Sequence, residues 1–292
     1  MQDYIVNVCG DESRAAWLIR GEKNLLFDAG MAYSAGRMIE NIKRELGDAP
    51  LDAVLLSHSH YDHVAGLPFL RKQWPELAVY GSEYAAAILE KPSVRATMRR
   101  LSDDAAKGAG LKRAPDYDVE GLRVDRTVKE GDVIRIGDHE ITVYETPGHT
   151  RCSLSYLADR DVLFASETVG VFSRDRYMPC YLVGYQMCLD AVEKLRHAPA
   201  KRVFITHQGI QDGKTPEEIW DYLEAELEKS KYEIIDIIKA HRTEEERLAV
   251  MKEKYHDGIV TEAEQPSFAF LLNAAATLKI VEKECMDVEE NT

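Results

Sequence analysis

His58, Ser59, His60, Tyr61, Asp62 and His63 bring three imidazoles and one carboxylate into six consecutive positions. A donor set of that kind suits Zn²⁺, Fe or Mn. His58 and His60 lie two apart, so on an extended segment they project the same way and can grip one ion. Asp62 and His63 come off the following turn and can reach a second. The apolar run Ala53, Val54, Leu55, Leu56 precedes the cluster and reads as a buried strand, and Val64, Ala65, Gly66 and Leu67 open a helix behind it. The donors therefore sit on a loop at a strand's C-terminal end.

A two-ion site needs about six to seven protein donors plus water, so further ligands must come from later strand ends. Three residues stand in suitable places. His149 lies in Thr146-Pro147-Gly148-His149-Thr150, straight after the strand-like residues 140–144. Glu167 ends the apolar run 162–166, and His207 ends the run 202–206. Each donor terminates a hydrophobic strand, the position where α/β folds place functional groups.

This ordered set resembles the metallo-β-lactamase superfamily. The family pattern is HxHxDH, a His in a PGHT turn, an acid after an LFxGD-like strand end and a final His after a further strand. The resemblance spans residues from about 4 to 210 and implies an α/β chain folded as an αββα sandwich. It implies two divalent metal ions, with His58, His60 and His149 on the first and Asp62, His63 and His207 on the second. Glu167 would bridge the two, and Asp28, in Asp28-Ala29-Gly30, would support the metal loops. The family usually has Asp where this chain has Glu167. The extra methylene implies a wider metal–metal distance, chelation of one ion only, or a preference for iron or manganese over zinc.

The formal charge of −14 argues against a polyanionic substrate, because neutralising phosphates needs a basic surface. Nucleic acid and anionic membranes are therefore not expected as partners. No run of about 18 apolar residues predicts a membrane span. Met1-Gln2-Asp3-Tyr4 carries no basic segment followed by an apolar one, so no secretory leader is read there. Five scattered cysteines, Cys9, Cys152, Cys180, Cys188 and Cys285, read as reduced thiols in a cytoplasmic protein.

Along the chain, strands are expected at residues 4–8, 15–19, 24–27 and 77–80, with helices at 34–46, after 64 and from Ser82, a plausible N-cap. Residues 91–116 read as the least regular stretch; their Arg95, Arg99 and Arg100 share one face, either solvated or touching an acidic substrate group. Five strand-like segments between 124 and 163 are punctuated by Gly131-Asp132 and Gly137-Asp138, which read as hairpins. Thr215-Pro216-Glu217-Glu218 is a strong helix start, with Thr as N-cap and Pro at the first helical position. Trp220, Leu223, Leu227, Ile234 and Ile238 then form an apolar stripe, and further helices start at Thr243 and Ser267. The chain thus divides into a metal domain, 1–211, and a C-terminal helical extension, 212–292. Its apolar faces pack on the core, on a second copy in a homodimer, or over the site entrance. That layout resembles the quinolone-signal response thioesterase type.

Tyr177, Tyr181 and Tyr185 are expected to bind substrate from a loop near the metals, with one of them a candidate proton donor. His139, His197, His241 and His256 lack a partner motif and read as surface or capping residues. The expected chemistry is hydrolysis of a small-molecule ester, thioester or lactone by a metal-bridging hydroxide, with Asp62 as the catalytic carboxylate. Phosphodiester cleavage, or a binding protein that retains the metals with little turnover, are the alternatives.

Overall fold

The computed structural model describes residues 4–173 and 176–286. Residues 1–3, where a leader was sought, lie outside them.

The first sheet holds β1 (Ile5–Asn7), β2 (Trp17–Ile19), β3 (Leu25–Phe27), β4 (Ala53–Leu55), β5 (Ala78–Ser82) and β6 (Arg126–Val128), side by side in that order. β1, β2 and β3 pair antiparallel; from β3 to β6 the pairing is parallel. The second sheet starts at an edge with β7 (Val133–Ile136), β8 (His139–Glu145), β9 (Leu154–Ala158) and β10 (Val162–Ala165). β11 (Val171–Ser173) and β12 (Arg176–Met178) form a separate hairpin, while β13 (Arg202–Ile205) and β14 (Gly209–Ile210) complete the second sheet beyond β10. The β10–β13 pair is parallel and its neighbours are antiparallel.

The inner faces of the two sheets meet in an aromatic core. Phe27 of the first sheet lies 4.9 Å from Phe164 and 5.5 Å from Phe204 of the second, ring centre to ring centre. Rings so placed add about 0.5–1.5 kcal/mol per pair beyond their area burial. β3, β4 and β10 are buried on both faces, which is why their sequences are continuous apolar runs rather than alternating ones.

Helices cover both outer faces. α1 (Ala35–Leu46), α2 (Tyr61–Val64), α3 (Leu67–Gln73), α4 (Glu83–Leu89) and α5 (Pro92–Gly108) belong with the first sheet, where Met38, Ile42, Leu67 and Leu70 pack under Leu26 and Val54. α6 (Tyr185–Arg196), α7 (Pro216–Ala240), α8 (Glu244–Tyr255) and α9 (Ser267–Val281) belong with the second. Trp220, Leu223 and Leu227 of α7 share one continuous apolar cluster with Leu163, Val203 and Ile205 of the sheet and with Phe270 and Leu278 of α9. The C-terminal helices thus complete the outer layer of the sandwich. Thr215 and Thr243 each form the reciprocal hydrogen bonds of a capping box, with Glu218 and Glu246.

Two expectations need correction. Residues 91–116 hold α5, a 17-residue helix with Pro92 in its first turn. Arg95 and Arg99 on it pair with Glu120 and Asp103, and Arg100 lies over the Phe268 ring at 4.4 Å, so the three form no common anion contact. His139 is buried rather than superficial, its Nδ1 meeting Asp159 at 2.8 Å, whereas His256 is a capping residue as expected: it closes the C-terminus of α8, buried, with Nε2 2.9 Å from the Gln265 carbonyl.

Candidate metal centre

All the strand-end donors converge. His58 and His60 leave β4, Asp62 and His63 sit in the single turn of α2, His149 follows β8, Glu167 follows β10 and His207 follows β13. They form two groups. His58, His60, His149 and Glu167 offer ligand atoms within 4.8 Å of one another, as do Asp62, His63, Glu167 and His207. Glu167 belongs to both. Its Oε2 lies 3.1 Å from His149 Nε2 and 4.0 Å from His58 Nε2, while its Oε1 lies 2.6 Å from His63 Nε2 and 2.8 Å from His207 Nε2. One oxygen thus faces each group, despite the extra methylene.

Four of the imidazoles are fixed through Nδ1. His149 donates to the Cys180 carbonyl at 2.8 Å and His207 to the Ser13 carbonyl at 2.6 Å. A carbonyl can only accept, so Nδ1 carries the proton and Nε2 presents a bare lone pair to the centre. His63 Nδ1 meets Asp28 Oδ2 at 2.8 Å. The Ser57 hydroxyl donates to the same Asp28 oxygen and, at 2.9 Å, can then only accept from His58 Nδ1. His60 is turned the other way, its Nδ1 facing His149 Nε2 at 3.0 Å. Five imidazoles therefore aim ring nitrogens at one small volume.

Asp28 is fully buried and accepts from the Ser57 backbone N–H and hydroxyl, each at 2.7 Å, as well as from His63. Burial raises its pKa, and those three donors offset the rise only in part. Its φ of 58° and the 68° of His207 lie in the left-handed region, which non-glycine residues enter at a cost of about 1–2 kcal/mol. In the turn before His149, Gly148 has φ 148°, and a Cβ there would meet Cys188 Sγ and Thr168 Cγ2, both at 2.7 Å. Only glycine fits.

This donor set fits divalent metal ions. The buried Nε2 atoms of His58 and His63 have no hydrogen-bond partner, a costly state for an acceptor without a cation. Three carboxylates, Asp28, Asp62 and Glu167, stand in the centre without a lysine or arginine partner among the described residues. The electrostatics point the same way. Burial and the neighbouring His63 hold His58 well below the ordinary histidine value, and burial lowers His60 to about 4. Burial would depress His63 as well, but Asp62, Asp28 and Glu167 outweigh it and drive its pKa well up. Against its own burial, Glu167 is held well below the usual carboxylate range by His63, His149 and His58. On one side of the centre His58 and His60 resist protonation, and on the other the carboxylates raise His63 and His207, so the centre as a whole draws positive charge, as a metal site requires.

The centre lies on the floor of an 810 Å³ cavity, with His60, Asp62, His149, Glu167 and His207 on its surface. The three loop tyrosines do not line it. Tyr177, Tyr181 and Tyr185 are buried in the cluster between the second sheet and its helices, Tyr177 edge-on to Phe172 at 5.3 Å and Tyr181 edge-on to Tyr185 at the same distance. Their neighbours Met178, Cys180, Leu182 and Val183 face the cavity instead. Sequence reasoning also missed the opposite wall, where Val94, Met98 and Leu101 of α5 stand near Leu272 of α9. A signal existed: Val94, Met98, Leu101 and Ala105 recur at helical spacing. α9 and the segment before it form part of the cavity wall, whereas α7 does not reach the cavity.

The profile of the metallo-beta-lactamase superfamily matches residues 9–207, the stretch that carries every one of these donors. The chain belongs to that superfamily. It is 32% identical over 197 residues to the acyl-coenzyme A thioesterase MBLAC2 of Gallus gallus, a match covering 61% of this chain and 67% of that one. With MBLAC2 of Bos taurus it shares 32% over 166 residues, 52% of this chain and 57% of that one. The matches thus span between 57% and 67% of the length of those relatives. Among solved structures, the archaeal superfamily protein ST1585 from Sulfolobus tokodaii superposes with a TM-score of 0.63 at 17% identity, over 96% of this chain and 99% of that one. The shared fold therefore includes the C-terminal helices. The chain is a metal-binding superfamily hydrolase, and no helix among its described residues is long and apolar enough to cross a membrane.

Proposed function

We propose that this protein is a dinuclear metallohydrolase that cleaves small-molecule thioesters bearing an apolar acyl group. The observation that carries the reading is the cavity itself, an imidazole–carboxylate floor under walls built from Ile88, Met98, Leu101, Leu182 and Leu272. A floor of that kind serves hydrolysis, and such walls serve a hydrocarbon rather than a sugar or a nucleotide. The 32% identity to acyl-coenzyme A thioesterases supports the same substrate class.

Held by the two groups, divalent ions would supply an activated water and an electrophile for the carbonyl oxygen. His58, His60 and His149 would hold one ion and Asp62, His63 and His207 the other, with Glu167 shared between them. Asp62 Oδ2 stands 3.3 Å from His63 Nε2 at the cavity surface, placed to orient the attacking water and take its proton. The apolar walls exclude bulk water from the acyl side. A leaving thiol with a pKa of about 8.5 departs without a protonated donor, whereas an amine needs one. The loop tyrosines lie in the core, so none serves as that donor, and the preference falls on thioesters. The free cysteines, four of them buried, fit a reducing cytoplasm.

The test is hydrolysis of acyl thioesters, oxygen esters, lactones and phosphodiesters by metal-loaded protein, read as thiol release for the thioesters and as acid or alcohol release for the others. Fastest turnover of a thioester, lost on chelation and restored by added metal, is expected. Turnover of phosphodiesters alone would overturn the reading.

A further inference from the structure

Beyond the centre, the cavity wall carries two arginines, Arg14 and Arg151. Both are exposed, and neither side chain has an ion pair or hydrogen bond with any described residue. Arg71, Arg95 and Arg99 are by contrast each tied to a carboxylate. The two cavity arginines are attached to the centre from different sheets. Arg14 follows Ser13, whose carbonyl holds His207, and Arg151 lies two residues beyond His149. With consecutive Cα atoms 3.8 Å apart, both guanidinium groups are rooted beside the reacting zone.

Arg14 is also held in place. Its φ is 56°, in the left-handed region, and the Trp17 indole N–H donates to its carbonyl at 2.6 Å. The guanidinium rests 5.3 Å from the centre of the Trp17 ring, which stiffens it without neutralising it. Arg151 leaves a turn closed by the Thr150 N–H donating to Ser153 Oγ at 3.2 Å. The remaining charged wall residues outside the centre are Glu12 and Glu264, and Glu264 is engaged by the N–H and hydroxyl of Thr261. A guanidinium stays charged at every physiological pH and binds carboxylate or phosphate through two parallel donors.

We propose that Arg14 and Arg151 form an anion subsite at the cavity rim that binds the negatively charged thiol carrier of the substrate. The inference rests on the thioester reading above and deepens it: the apolar wall takes the acyl group, the floor the thioester carbonyl, and the arginines the anionic remainder. The shared chemistry is a thiol bearing carboxylates or phosphates, as in glutathione or coenzyme A.

The experiment compares one acyl group on three carriers: coenzyme A, glutathione and uncharged N-acetylcysteamine. The full chain, metal-loaded, is measured beside Arg14→Asn, which suits a left-handed backbone, Arg151→Gln and Arg151→Glu, with metal content confirming the fold. Each neutralising change is expected to lower kcat/KM for an anionic carrier relative to the neutral one by about tenfold, the weight of one charge-assisted hydrogen bond. Arg151→Glu is expected to lower it further. A fall on the coenzyme A ester alone assigns phosphate, and a fall on the glutathione ester assigns carboxylate. Calorimetric binding of a non-hydrolysable thioether analogue of the coenzyme A and glutathione esters separates the two readings. Weakened binding of either analogue without turnover of any thioester retains the anion subsite and sinks the hydrolase. If turnover is normal and all three carriers respond equally to the substitutions, the arginines are scaffold and the subsite is refuted.

Discussion

The floor and the walls of the cavity obey opposite rules. On the floor four of the five imidazoles have a second partner behind them that fixes their direction, as the Ser13 and Cys180 carbonyls do for His207 and His149. On the walls, Ile88, Met98 and Leu272 are placed by helix packing alone. The floor therefore tolerates almost no change in geometry, whereas the walls can be recontoured while the chemistry continues. On the proposed function, chemistry and selectivity reside in separable parts of one cavity.

The largest effect is expected at the one side chain common to both halves of the floor. Glu167→Ala removes the shared ligand, and turnover should fall by ~1000-fold or more, with elemental analysis showing fewer than two ions per chain. Glu167→Asp, shorter by one methylene, should recover part of both. Full turnover in Glu167→Ala would break the assignment of the floor. One step out, Asp28→Asn weakens the grip on His63 and Ser57. Metal affinity should drop about 10–100-fold by competition with a chelator, the usual weight of a residue behind a ligand.

A chain ended after Gly213 tests whether the outer wall is separable from the floor. It would uncover Leu163, Val203 and Ile205, which α7 and α9 bury, so insoluble or unfolded protein is expected by gel filtration and circular dichroism. A soluble, metal-loaded truncation would instead establish residues 1–211 as an independent domain.

Wall changes should be milder. Leu272→Trp narrows the cavity beside α5, and the preference for long over short acyl chains should fall about tenfold in kcat/KM, roughly two methylenes of burial. An unaltered chain-length profile would move the acyl site elsewhere. The smallest effect belongs to a buried histidine away from the cavity. Burial lowers the His139 pKa, but the bond to Asp159 and its charge raise it above the ordinary histidine value. Its contribution to stability is thus full below pH 6.5 and lost as pH rises through the elevated folded value. His139→Asn should flatten that part of the stability–pH curve in urea melts and leave the metal content intact.

The floor was legible because its signal is local: His58 to His63 are contiguous, and His149, Glu167 and His207 each close an apolar run that can only be a buried strand. The walls were not, because Met98 and Leu272 come from helices far apart in sequence, and only the packing of α5 beside α9 makes them neighbours. The tyrosines misled for a related reason. Aromatic residues near a metal loop suggest a ligand wall, yet Tyr177, Tyr181 and Tyr185 carry the largest apolar surface of their segment and were drawn into the core. The smaller Cys180, Leu182 and Val183 were left to face the cavity. Arg14 and Arg151 belong to no motif and gain their meaning only from the cavity they border.

The central claim is that two cations share Glu167. Its most direct measurement is the metal content of the folded protein, purified without added metal and then titrated with Zn²⁺, Fe²⁺ or Mn²⁺ after chelation. Saturation at two equivalents per chain is the predicted result, falling below two in Glu167→Ala. A folded wild-type protein that takes up no metal would contradict it.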